Sequence, residues 1–69
     1  MEKWIATAVG KMHIHKIQQR EVARNLGVTE EYLSMIMNGK KSPKNAEERI
    51  LAAIDEIIAS SLNEKVKLG

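Results

Sequence analysis

Two short helical patterns joined through one glycine constrain this chain more than any other feature of it. Val22-Ala23-Arg24-Asn25-Leu26 is closed by Gly27, and only Val28 separates that glycine from Thr29, which opens the next pattern. The Thr29 hydroxyl is placed to accept one of the orphan N–H groups at a helix start. Glu30 and Glu31 follow where the positive end of the macrodipole favours carboxylates. Tyr32, Leu33, Ile36 and Met37 recur at helical spacing and leave Glu30, Glu31, Ser34, Met35 and Asn38 on other faces. Asn38-Gly39 is a stop signal, because both residues tolerate the left-handed conformation that ends helices. Helices this short, joined this closely, must cross at a steep angle.

The remaining residues supply further helices around that pair. At 69 residues the chain is one small domain, residues 1–69, near the lower limit for a core without staples. With no Cys, neither a disulfide nor a thiolate metal site can assist it. The β-branched alternation of strands is missing, so the expectation is all-α, four to five short helices. No apolar run is long enough for a membrane span or a secretory signal, and no repeat, linker or low-complexity tract interrupts the chain.

In order, residues 2–13 are expected to form the first helix, with Trp4, Ile5, Ala8, Val9 and Met12 as its core-facing stripe. Trp4 reads as a core anchor on that stripe rather than an interaction hot spot. Gly10 weakens the helix by about 1 kcal/mol relative to Ala, which points to close packing or an early end. His13-Ile14-His15-Lys16 connects onward. Residues two apart on a helix diverge, and no third ligand lies near, so His13 and His15 read as exposed polar positions and not a metal site. Ile17 is expected to tuck under the second helix, whose buried face is Val22, Ala23 and Leu26. The small Ala23 lets the two short helices approach closely.

After Gly39 comes a basic loop, Lys40-Lys41-Ser42-Pro43-Lys44. Two starts for the last helix compete, Ser42 capping with Pro43 in the first turn, or Asn45 with Glu48 as a capping pair. Ile50, Leu51, Ile54, Ile57 and Ile58, with Ala46 and Ala53, close the core from about 43–45 to about 60. Ser60-Ser61 ends or bends that helix, and residues 62–69, with Leu62, Val66 and Leu68, form a short fifth helix or a frayed tail.

The ordered set Gln19, Val22-Ala23, Leu26-Gly27, Thr29 and Asn38-Gly39-Lys40 resembles the helix-turn-helix of Cro/repressor-type (xenobiotic-response-element family) regulators, with a lambda-repressor-like DNA-binding domain. The match covers roughly residues 17–44. The resemblance implies that the Thr29 helix enters the major groove of double-stranded DNA. On it Glu30, Glu31 and Met35 occupy base-reading positions, with Thr29, Tyr32 and Ser34 beside them. By the same resemblance Gln18, Gln19, Asn38, Lys40, Lys41 and Lys44 form the phosphate clamp, Gln19 at a helix N-terminus that already favours anions. Gln18 departs from the family, which usually has Thr or Ser there, and so removes the standard cap. Many relatives also pair an Arg late in the first helix with a Glu before the Asn-Gly exit. Here Met12 and Met37 hold those positions, and the paired replacement predicts that they touch, since packed hydrophobes substitute for buried ion pairs.

Charge supports a nucleic-acid partner. The net charge is only +2, but residues 11–44 carry seven basic groups (Lys11, Lys16, Arg20, Arg24, Lys40, Lys41, Lys44) against three acidic ones, while 45–69 carry three basic and five acidic. Cations gathered on the segment with the two short helices suit phosphate neutralisation, which releases counterions. An enzyme is not indicated: no Ser–His–Asp or Cys–His set and no glycine-rich phosphate cradle is present. No cofactor, metal or small-molecule substrate is expected. The reading is a transcriptional regulator, a small repressor or Cro-like protein of bacterial, phage or mobile-element origin, cytoplasmic and nucleoid-associated, working as a homodimer on DNA. The rival is a protein–protein interaction module on the same fold, which the two glutamates favour and the basic flanks oppose.

Overall fold

The computed structural model describes residues 2–68, with side chains to residue 62. Among them the chain forms α1 (Lys3–Ile14), α2 (Gln19–Leu26), α3 (Glu30–Met37) and α4 (Ala46–Leu68), and no strand. The all-helical, lambda-repressor-like architecture expected from the sequence is the one observed. The last helix packs against both α1 and α2, and α3 packs against α2, so α4 is the post on which the crossed pair is mounted.

The first three helices end in the same way. At the end of α2, Val28 N–H donates to the Ala23 carbonyl at 3.0 Å and Gly27 N–H to Arg24 at 3.2 Å. At the end of α3, Lys40 N–H donates to Met35 at 2.8 Å and Gly39 N–H to Ile36 at 3.1 Å. Both sets are Schellman motifs, and each needs a left-handed residue at its pivot. Gly27 (φ 75°) and Gly39 (φ 76°) supply it without a Cβ penalty. The end of α1 repeats the pattern, with Ile17 N–H to Met12 at 2.8 Å and Lys16 N–H to His13 at 3.3 Å, but here the pivot is Lys16 at φ 56°. The turn carries Ile17 down into the core, directly ahead of α2.

Eleven side chains make the buried core: Ile5, Ala8, Ile17, Val22, Ala23, Leu33, Ile36, Met37, Ile50, Ala53 and Ile54. Every helix contributes, and Trp4, Met12, Leu26, Tyr32, Leu51, Ile57 and Ile58 pack around the edge. Trp4 also donates its indole N–H to the Glu2 carboxylate. Two expectations for α1 are corrected. Val9 is 45 % exposed, because Ile5, Ala8 and Met12 centre the buried stripe to one side of it. Gly10 neither ends the helix nor meets a neighbour, since α1 continues to Ile14 and a Cβ at residue 10 would find nothing within 4 Å.

The start of α4 follows neither simple cap. Pro43 lies in the preceding turn, where its carbonyl accepts from Ala46 N–H at 3.2 Å, rather than in the first helical turn. Asn45, immediately before the helix, takes a left-handed conformation at φ 64°, one that Asn tolerates better than most residues. The other end is longer than expected: α4 runs through Ser60-Ser61 to Leu68, so residues 62–68 continue the fourth helix rather than starting a fifth. The Val66 and Leu68 side chains lie outside the described residues, as does Gly69.

Candidate nucleic-acid interface

The helix expected to carry the site is built as its sequence requires. Thr29 is its N-cap, and the hydroxyl accepts the Tyr32 backbone N–H at 3.1 Å. Glu30 and Glu31 occupy the first turn. Leu33, Ile36 and Met37 are buried and fix the inward direction of α3. At about 100° per residue, Glu31 then falls within roughly 15° of the direction straight away from the core, and Met35 within roughly 30°. Glu30 lies more than about 100° from that direction, on the flank.

One open depression brings together Gln19 from the start of α2 with Thr29, Glu30, Glu31, Ser34 and Met35. These are one phosphate-clamp residue and five base-reading residues of the sequence assignment. Tyr32 stands apart from them. It is half-buried and packs on the edge of the core. Asn38 is also outside the depression, and its amide is committed within the helix, donating to the Ser34 carbonyl at 2.8 Å and to Ser34 Oγ at 3.2 Å. It lines an adjoining depression with Gln19, Ser34, Val9, Met12, His13 and Met37, so Gln19 borders both.

The cationic residues frame α3 rather than line its outward face. Lys40 and Lys41 are exposed, and their backbone N–H groups both donate to the Met35 carbonyl, at 2.8 and 3.3 Å. That pins the loop to the negative end of α3 and holds both ammonium groups where the helix finishes. Lys44 is exposed further along the same loop, in the turn before α4. Gln18 is exposed at the N-cap of α2. The basic count of the sequence loses one member: Lys11 Nζ lies 2.9 Å from Asp55 Oδ1, tying α1 to α4.

Two local details escaped the sequence reading. The Gln18 departure does not leave α2 uncapped, because Glu21 Oε1 accepts the Gln18 backbone N–H at 3.3 Å. A Glu three residues after the cap position is the signal that reveals it. The contribution of α1 was also missed, since Val9 and His13 border the depression that Gln19 and Asn38 line; the exposed side of Val9 follows only from knowing which side of α1 is covered. Met12 and Met37 line that same depression, Met37 buried at 8 % exposure and Met12 half-buried against the core.

A family model described as helix-turn-helix matches residues 15–54, from the cap of α1 to the middle of α4 and across the whole Gln19–Met35 depression. Comparison with curated proteins and with solved structures gave no match. No helix among the described residues is long and apolar enough to cross a membrane.

Proposed function

The chain belongs to the helix-turn-helix family of Cro/repressor-type DNA-binding regulators, and on that premise we propose that it is a sequence-specific transcriptional repressor or Cro-like protein of bacterial, phage or mobile-element origin. One observation carries the reading: a depression of hydrogen-bonding and apolar side chains, Gln19 with Thr29, Glu30, Glu31, Ser34 and Met35, is framed by exposed lysines outside it. That division of labour suits a duplex, where phosphate contacts position the protein and base contacts specify the site.

In this reading the N-terminal half of α3 lies in the major groove. Glu31 accepts from a cytosine N4 amino group, Met35 meets a pyrimidine methyl, and Thr29, Glu30 and Ser34 act beside them, with Tyr32 supporting the helix from within. Gln18 and Gln19 meet a phosphate at the start of α2, and Lys40, Lys41 and Lys44 meet the backbone beyond the end of α3, with Asn38 holding the turn between. The protein works in the cytoplasm on the nucleoid, and two copies bind one operator. Exposed apolar side chains at the α1–α2 turn and on α4, Ile14 (74 % exposed) and Leu62 (56 % exposed) beside Ile57 and Ile58, border a depression of mixed polarity with Lys16 and Glu21, and support pairing of copies.

A second reading, a protein-interaction module, is favoured by the two exposed glutamates on α3. Salt titration against random-sequence duplex, followed by selection of bound duplexes from a random pool, tests the two. The expected result is a steep negative salt slope and one enriched, two-fold symmetric site. A flat slope with no enriched sequence would overturn DNA binding and favour the second reading.

A further inference from the structure

Resting on the DNA-binding reading, we propose that Glu31 and Met35 together read a single 5-methylated cytosine, which makes binding sensitive to methylation of the operator. Two side chains on the outward face of α3, lining the same depression, lead there. Among the described residues the Glu31 carboxylate takes part in no hydrogen bond or ion pair, although it points almost straight away from the core. It is an exposed acceptor that no side chain among the described residues engages. Met35 is the second case. Met12 and Met37 pack in or on the core, whereas Met35 belongs neither to the core nor to its packed edge and lines the reading depression instead. Met35 is a half-buried thioether that lies off the core among the polar side chains of the depression.

Residues four apart on a helix are neighbours, so the carboxylate and the thioether present themselves side by side. A single base that engages both offers a hydrogen-bond donor and an apolar group adjacent on one edge. Thymine offers the methyl group, but beside the O4 acceptor, which repels a carboxylate. Adenine offers the N6 donor without a methyl group. N6-methyladenine in a duplex uses its one remaining N6 hydrogen for pairing and leaves no donor in the groove. Unmodified cytosine offers the N4 donor alone. Cytosine methylated at C5 offers the N4–H donor and the methyl group next to each other, and it engages both side chains with one base. Gln19, Thr29 and Ser34, also around the depression, carry no charge, so the face holds no cation that would compete for Glu31.

The test uses the full chain and two versions of the selected operator pool, one synthesised with cytosine and one with 5-methylcytosine. Wild type is expected to bind the methylated pool about three- to fivefold tighter, the effect of burying one methyl group. Met35→Ala is expected to bring that ratio to about one, and Glu31→Gln to lose the requirement for cytosine at the same position. Thermal melts of both variants verify that they are folded, as expected for residues off the core. Equal or weaker binding of methylated duplex by wild type, with an intact salt slope and an enriched site, would overturn this inference alone. Loss of salt-dependent binding to either pool would overturn the DNA-binding reading beneath it.

Discussion

Replacing Lys40 and Lys41 together by Ala isolates the phosphate clamp from the rest of the interface. Both lysines are exposed on the loop that leaves α3, and neither is in the ion pair found among the described residues. Each phosphate contact contributes about 0.9 to the slope of log affinity against log salt. Losing two should therefore flatten the slope by about 1.8. Raising salt from about 50 to about 200 mM weakens binding about 3.5-fold per contact, so the double variant should lose about 12-fold less affinity than wild type over that range. Lys11→Ala is the internal control. Its ammonium is engaged with Asp55 at 2.9 Å between α1 and α4, and its removal should leave the slope unchanged. Fluorescence anisotropy with a labelled duplex at five or six salt concentrations measures all three proteins. Phosphate contact by the loop is excluded if the double variant keeps the wild-type slope, or if Lys11→Ala flattens it by the same amount as one loop lysine.

Other expectations concern the frame that holds α3. Gly10→Ala should stabilise the protein by about 1 kcal/mol, because the position is helical with open space around it; a melting temperature higher by about 4–8 °C would agree, and an unchanged or lower one would not. Lys16→Gly should relieve the left-handed pivot at the end of α1 and raise stability by several tenths to about 1 kcal/mol in denaturant titration, whereas a loss would show that the lysine side chain holds the turn. Met37→Glu should destabilise by about 3 kcal/mol or more, since it places a carboxylate at a site only 8 % exposed. Adding Met12→Arg should recover part of that loss through the shared depression, and strictly additive effects in the double-mutant cycle would separate the two residues.

The helix ends inside the crossed pair were legible because their punctuation is chemical: Gly27 and Gly39 stand where only a left-handed residue closes the turn, and Thr29 caps as its hydroxyl permits. Lys16 was not legible, because it performs the same backbone task with a residue that carries no such signature. Val9 shows the limit of periodicity. A helical repeat marks a stripe, but the width of the buried part is set by the neighbours, and here they cover Ile5 and Ala8 and leave Val9 exposed. Ser60-Ser61 reads as punctuation, yet Leu62, Glu64, Lys65 and Lys67 beyond it are good helix formers, and α4 continues through. The candidate site was more readable than its frame. Which residues lie outward on α3 follows from sequence spacing, while the pairing of Lys11 with Asp55, 44 positions away, requires the fold.

Three methionines that look alike in the sequence separate once their surroundings are known, and the separation bears on how the interface is organised. Met37 is buried between α3 and the core, Met12 lies at its edge, and Met35 faces outward beside an unpaired carboxylate. A regulator that drew its affinity from cations on the reading helix itself would bind any duplex tightly, since every sequence offers the same phosphates. Here α3 carries two glutamates and no basic residue, and three exposed lysines, Lys40, Lys41 and Lys44, lie on the loop after it. A groove-facing carboxylate opposes a duplex that offers it no donor, and this repulsion lowers non-cognate binding as well as selecting the cognate base. Under the proposed function, affinity then belongs to the loop and selectivity to the helix. The two properties can change independently, through Lys40 and Lys41 on one side and Glu31 and Met35 on the other.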